Sequence, residues 1–346
     1  MPETPAPSNQ EKEAVPNSTR RRFVTKGRVL ALMLVAAGGS LFAGYGHYTD
    51  PGPLQGERVV VIPRGGVDRV VHVLQENGIL APGLVSSLFF KLALFSTKSQ
   101  GPIHAAELKF PDRVSIAHSL VILRHGQPVP HSLTIAEGLT ARRIHALLIQ
   151  APVLQGTVEE IREGEVAPQT FFYVWGTERQ TLLTHMKKLM NTQLKEVWEN
   201  RDQSALQGVI TTPEQLLILA SLIERETALP EERAQIARVF INRLKRGMKL
   251  QTDPTVIYAV SQGEGILPRA LTKADLQFDS PYNSYLYVGL PPGPICSPGR
   301  DALEAAAHPA EGDALYFVAT GHGGHNFSHS LAEHIEHVHS YRHISH

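Results

Sequence analysis

Thr212-Pro213-Glu214-Gln215-Leu216-Leu217-Ile218-Leu219-Ala220-Ser221-Leu222-Ile223-Glu224 is the stretch on which the fold turns. Its opening is a helix start: Thr212 as N-cap, Pro213 in the first turn and Gln215 to complete a capping box. Leu216 to Ala220 and Leu222-Ile223 are then apolar on every face, so the helix must be enclosed on all sides. Glu224 follows directly. A carboxyl at the end of a buried helix is desolvated, which raises its pKa and suits a general acid. The same placement also fits a helix-end glutamate that reaches solvent.

Downstream, Pro230-Glu231-Glu232-Arg233 opens a second helix with Ile236, Ala237, Phe240, Ile241 and Leu244 on one face, ending at Gly247. Leu250 to Tyr258 places Gln251, Thr252, Asp253 and Thr255 around Pro254, ahead of a short apolar helix. Tyr282-Asn283-Ser284-Tyr285 and Gly289-Leu290-Pro291-Pro292-Gly293-Pro294-Ile295 form a rigid, aromatic-flanked loop. Tyrosine rings pack on sugar faces, and Asn and Asp side chains read hydroxyl and amide groups.

Working upstream, strands are expected at Arg58–Ile62, Glu107–Phe110 and Leu133–Ile135. Helices are expected over Val67–Gln75, Leu84–Phe95, Ser115–His125, Thr140–Leu148 and Thr177–Asn200. Leu84–Phe95 is strongly apolar but too short to span a bilayer, so it reads as the core helix of a small domain. Asp50 to Glu57 is a Pro/Gly-rich linker. Val29 to Tyr48 lacks Asp, Glu, Lys and Arg. About 20 residues at 1.5 Å each cover a hydrocarbon core of about 30 Å. Arg20-Arg21-Arg22, Lys26 and Arg28 precede it, which keeps the N-terminus cytoplasmic and the body outside. Leu41-Phe42-Ala43 is a poor cleavage site, so an uncleaved anchor is expected. Thr19 to Val24 also resembles a twin-arginine export signal. Residues 1–19, rich in Pro, Glu, Ser and Asn, read as disordered.

The 346 residues suggest about two domains. Lys+Arg and Asp+Glu each number 33, so there is no basic field for nucleic acid. One cysteine, Cys296, excludes an intrachain disulfide framework and a multi-cysteine metal site. Histidines crowd the C-terminus from His322 to His346; His325/His329 and His339/His343 are spaced i,i+4, but nothing else supports a metal.

These motifs, in this order, resemble the YceG-like, MltG-type membrane-bound endolytic murein transglycosylases. The matching pieces run from Ala220–Thr227 through Val239–Leu244, Leu250–Tyr258, Tyr282–Tyr285, Gly289–Ile295, Ser297–Gly299 and Ala305–Pro309 to Leu315–Val318 and Gly324–Phe327. Glu163-Gly164 matches more loosely. Val60 to Val71 resembles the start of a LysM glycan-binding module, although Ala105-Ala106-Glu107-Leu108 departs from the family's Gly-x-Tyr.

The resemblance implies an α+β architecture. It comprises a tail (1–28), a transmembrane helix (29–48), a linker (50–57), a LysM-like αβ subdomain (58–150), a catalytic domain (151–341) and a short tail (342–346). It implies Glu224 as sole acid/base, with Gln251, Asp253, Thr255, Tyr258, Tyr282, Asn283, Tyr285, His325 and Phe327 binding the substrate and no cofactor or metal. The implied reaction cleaves the N-acetylmuramic acid–N-acetylglucosamine bond within nascent peptidoglycan and ends glycan elongation with a 1,6-anhydro terminus. Peptidoglycan synthases are the implied protein partners. The implied location is the bacterial inner membrane, single-pass, with the catalytic part periplasmic. Two alternatives stay open: a hydrolytic muramidase using Asp253 or Glu226 as second carboxylate, and a noncatalytic glycan-binding scaffold.

Overall fold

The computed structural model describes Met1 and residues 18–344. Most of the N-terminal stretch read as disordered, and His346 with the very end of the expected C-terminal tail, lie outside those residues. The chain mixes helix and sheet and divides into two compact units, residues 1–128 and 129–346.

The first unit opens with α1 (Ser18–Thr49), whose segment Arg28–Thr49 is long and apolar enough to cross a membrane. Then follow β1 (Arg58–Val61), α2 (Val67–Glu76), α3 (Leu84–Ser96), β2 (Glu107–Phe110) and α4 (Ile116–His125). β1 and β2 pair antiparallel, with Arg58 opposite Phe110 and Val61 opposite Glu107. Val60, Ile62, Val70, Val71, Leu74, Phe90, Leu108, Phe110, Leu120 and Leu123 fill the core.

Two expectations for this unit change. The 50–57 segment is docked rather than free. Leu54 is buried, Arg113 donates its N–H to the Leu54 carbonyl at 2.9 Å, and Gly52 donates to the Arg113 carbonyl at 3.0 Å. A Cβ on Gly52 would lie 2.1 Å from the Val114 carbonyl oxygen, so this contact needs glycine. α3 is not a core helix either. It buries Phe90 and Ser86 and leaves Leu84, Val85, Leu88, Leu92 and Phe95 exposed.

The second unit contains β3 (Pro130–Thr134), α5 (Ala141–Gln150), β4 (Thr170–Val174), α6 (Arg179–Glu199), α7 (Gln203–Leu206), α8 (Pro213–Glu226), α9 (Arg233–Lys245), α10 (Asp253–Val260), α11 (Arg300–Ala307), β5 (Tyr316–Ala319), β6 (His325–Ser328) and α12 (Leu331–Ile344). It begins before the expected boundary at 150/151. β3 pairs antiparallel with β4, Thr134 opposite Thr170, and Ile144 and Leu148 of α5 are buried with α8 in one core. β4, Thr-Phe-Phe-Tyr-Val, escaped the sequence reading.

α8 sits at the centre, as its all-round apolarity demands: Leu216, Ile218, Leu219, Ala220, Ser221, Leu222 and Ile223 are all buried. Helices α6, α9, α10 and α11 pack around it. Thr212 caps it by accepting from the Gln215 N–H at 3.2 Å. The Gln215 carboxamide reaches back one residue further than in a standard capping box, accepting from the Thr211 N–H at 2.7 Å. Ser221 accepts the Ile295 N–H at 3.1 Å, which pins the Pro-Gly loop to the buried helix.

Candidate active site

The C-terminal turn of α8 carries two glutamates in different surroundings. Two helical positions differ by about 200° around the axis, so Glu224 and Glu226 point to opposite sides. Glu224 has only 6% of its side chain exposed. Its Oε2 accepts the N–H of Gly299, the N-cap of α11, at 2.8 Å. Arg233 of α9 lies 3.8 Å from its Oε1 and also approaches Asp301 at 3.3 Å and Glu137 at 3.9 Å. Burial raises the Glu224 pKa, and the Gly299 N–H opposes the rise. Glu224 thus braces three helices.

Glu226 instead lines a cavity of about 550 Å³. The Thr252 hydroxyl donates to its Oε2 at 2.6 Å. Burial again pushes its pKa up, opposed by that hydrogen bond, while the nearby Asp253 charge adds to the rise. Of the residues expected to bind substrate, Gln251, Asp253, Tyr285 and His325 line this same cavity. Arg243, Tyr316, Phe317 and His334 complete its polar and aromatic wall. Glu224 is not among the lining residues. Glu226, not Glu224, therefore shares this cavity with Gln251, Asp253, Tyr285 and His325, whereas the expected grouping put Glu224 with them.

Each lining group is held from behind. Tyr285 donates its hydroxyl to Asp253 Oδ1 at 2.6 Å. Glu232 grips His325 twice, accepting the backbone N–H at 2.7 Å and facing Nδ1 at 2.7 Å. A Cβ on the preceding Gly324, which sits at φ +84°, would lie 2.7 Å from the Glu232 carboxylate, so the grip requires glycine. Arg243 donates to the carbonyls of Leu315 at 2.6 Å and Leu250 at 2.7 Å, joining α9 to the cavity walls. Gln251 holds a left-handed backbone, φ +50°, at the mouth of α10.

His334 stacks on Tyr316 with ring centroids 5.1 Å apart. Its Nδ1 has no hydrogen-bond partner among the described residues, and burial lowers its pKa. Its contribution was hidden in the sequence by the general crowding of histidines.

Three expected binders do other work. Asn283 is fully buried: its amide donates to the carbonyls of Leu276 at 3.1 Å and Phe278 at 2.8 Å, and its oxygen accepts the Tyr285 N–H at 2.9 Å. It shapes the loop that presents Tyr285. Thr255 is also buried, 2.8 Å from the Ser284 hydroxyl and donating to the Thr252 carbonyl. Phe327 packs into the core beside Phe317. Asn283 and Thr255 thus support the site without facing the cavity, and half-buried Phe327 is not among the residues that line it.

Tyr258 and Tyr282 line a second cavity, about 560 Å³, with Glu163, Arg142 and His145. Their rings are 4.9 Å apart. Glu163 accepts the Ala141 N–H at 2.7 Å and the Tyr258 hydroxyl at 3.2 Å. Burial outweighs those bonds and lifts its pKa to about 7. The sequence offered only the Glu163-Gly164 pair as a hint of this carboxyl.

A partly desolvated carboxyl beside a second carboxylate, a histidine, an arginine and tyrosines suits proton transfer on a polyhydroxylated substrate. The cavity volume falls within the range of about 300–1,000 Å³ typical of small-molecule sites.

A protein named endolytic murein transglycosylase from Bacillus subtilis strain 168 is 39% identical over 182 residues, 53% of this chain and 48% of that protein. The chain thus spans about half the length of that relative. One of the same name from Streptococcus pneumoniae D39 is 28% identical, covering 92% of this chain and 68% of that protein. The crystal structure of a yceG-like protein from Listeria monocytogenes superposes with a TM-score of 0.50 at 27% identity, covering 81% of this chain and 98% of that one. The YceG-like family profile matches residues 59–340, nearly everything beyond the N-terminal helix, and the chain belongs to that family.

Proposed function

We propose that this protein is a membrane-anchored endolytic peptidoglycan transglycosylase with Glu226 as its acid/base. The carrying observation is the placement of Glu226. It is held by Thr252 in the cavity that Gln251, Asp253, Tyr285 and His325 also line. The names of the curated relatives support the substrate class. Burial pushes the Glu226 pKa up and so favours its acid form, which donates its proton to the glycosidic oxygen as the C1–O bond breaks. The muramoyl C6 hydroxyl then adds to C1 and returns its proton to the Glu226 carboxylate. The product is a 1,6-anhydro end, no water is consumed, and one carboxyl serves both halves.

A second reading has its own observation. Asp253 lines the same cavity, so a water activated by a second carboxylate would make the enzyme a muramidase. Mass spectrometry of purified peptidoglycan digested by the full-length chain separates the two. Anhydro ends, about 18 mass units below reducing ends, support transglycosylation. Reducing ends alone support the muramidase. Binding without cleavage returns the protein to a scaffold role.

In the same reading, α1 is an uncleaved single-pass anchor with a cytoplasmic N-terminus, and the rest lies outside the cytoplasm of a bacterial inner membrane. The unit of residues 58–128 is LysM-like and holds glycan, and residues 129–341 form the catalytic domain. Cutting within nascent strands beside their synthases would end elongation.

A further inference from the structure

The exposed apolar residues of α3 form one stripe. Leu84, Leu88, Leu92 and Phe95 recur at helical spacing, with Val85 at the margin. Leu84 is 89% exposed and Phe95 77%. A stripe of large apolar side chains this bare, on an ordered helix, calls for a cover.

The same unit sets this stripe beside the apolar span of α1. Phe89, on α3 beside the stripe, packs edge-on against His47 of α1 at 4.8 Å between ring centroids, and a Cβ on Gly44 would touch it at 3.7 Å. Gly44 and His47 belong to the last turns of the apolar span Arg28–Thr49. The docked Leu54–Arg113 and Gly52–Arg113 contacts fix that span to the unit. Gly44 precedes Asp50, the first charged residue after the span, by about 9 Å of helix rise. An amphipathic helix resting in a bilayer interface sinks its apolar face about 5–10 Å. The two depths agree. Lys98, just past the end of α3, is exposed and suits anionic headgroups, while Lys91 on α3 is paired with Asp68 of α2.

We propose that α3 is a second membrane contact, an interfacial helix whose Leu84–Phe95 stripe lies in the outer surface of the bilayer beside the anchor. The proposal rests on the anchor reading of α1.

The test uses the full chain in nanodiscs of phosphatidylcholine and phosphatidylglycerol, on a Cys296→Ala background. An environment-sensitive fluorophore is attached at Leu34→Cys, Leu88→Cys, Phe95→Cys or the exposed control Gln127→Cys. Lipids brominated near the headgroup end of the acyl chain act as quenchers. The expected result is loss of emission from Leu88 and Phe95 labels and none from Gln127. Lipids brominated deep in the chain quench Leu34 instead. Quenching at Leu34 without quenching at Leu88 and Phe95 overturns the proposal and leaves the anchor standing. Blue-shifted but unquenched labels at Leu88 and Phe95 mean that protein covers the stripe, which also overturns it. No quenching at any site removes the anchor and the proposal together.

Discussion

Glu224 and Glu226 differ by two positions and by everything around them. Glu224 is tied to Gly299 and Arg233, and Glu226 faces a cavity through Thr252. Glu226→Gln is therefore expected to lower cleavage of purified peptidoglycan by at least about 10²–10⁴-fold while leaving the melting curve close to wild type. Glu224→Gln keeps an acceptor for the Gly299 N–H and should lose less than about tenfold. Equal losses in both variants, or a larger one in Glu224→Gln, would return the catalytic role to Glu224. Asn283→Ala gives the opposite signature. It removes three part-buried hydrogen bonds that hold the loop, each worth about 0.5–1.5 kcal/mol, so Tm should fall together with activity. An unchanged Tm with activity lost would put Asn283 back among the substrate contacts. The sequence motif here does not say on which side each group falls. A motif spelling both glutamates carries no information about which one meets a cavity. Nor does Tyr-Asn-Ser-Tyr reveal that its amide is consumed by the carbonyls of its own loop.

Elements were more legible than side chains. α8 declared itself because an uninterrupted apolar run leaves it no exposed face, and its cap and Pro213 marked the start. α3 misled for the same reason: apolarity alone does not distinguish a core from a membrane surface. β4 stayed hidden because its partner β3 lies well upstream, across the whole of α5. A testable link between elements is Glu163, which ties the start of α5 to Tyr258 on α10. Its folded pKa of about 7 lies above the ordinary 4.5, so the folded state binds the proton more tightly than the unfolded chain. The stabilisation is complete below pH 4.5 and is lost as pH rises towards 7, on the order of 3 kcal/mol in total. Denaturant unfolding at pH 4.5, 6 and 8 should show the decline, and Glu163→Gln should flatten it. A profile that the substitution leaves unchanged would assign the decline to another group.

For the whole molecule, composition is informative early: balanced charge leaves no global basic field, and a lone cysteine excludes an intrachain disulfide framework. The boundary between the units was harder to place, because β3 and α5 look like a continuation of the preceding αβ pattern until β4 is found. Topology gives the prediction at this scale. A reporter fused after His346 that works only outside the cytoplasm should be active, and the mature N-terminus should map to the start of the chain. A mature terminus between residues 40 and 50 would mean a cleaved leader in place of the anchor. The docked segment at Gly52 and Leu54 has a consequence on the proposed anchor reading. A loose tether would let the first unit sweep a hemisphere above the lipid. A folded-down tether would act as a fixed mast that holds the first unit at a constant standoff, so that a glycan bound by that unit would be met at one level only.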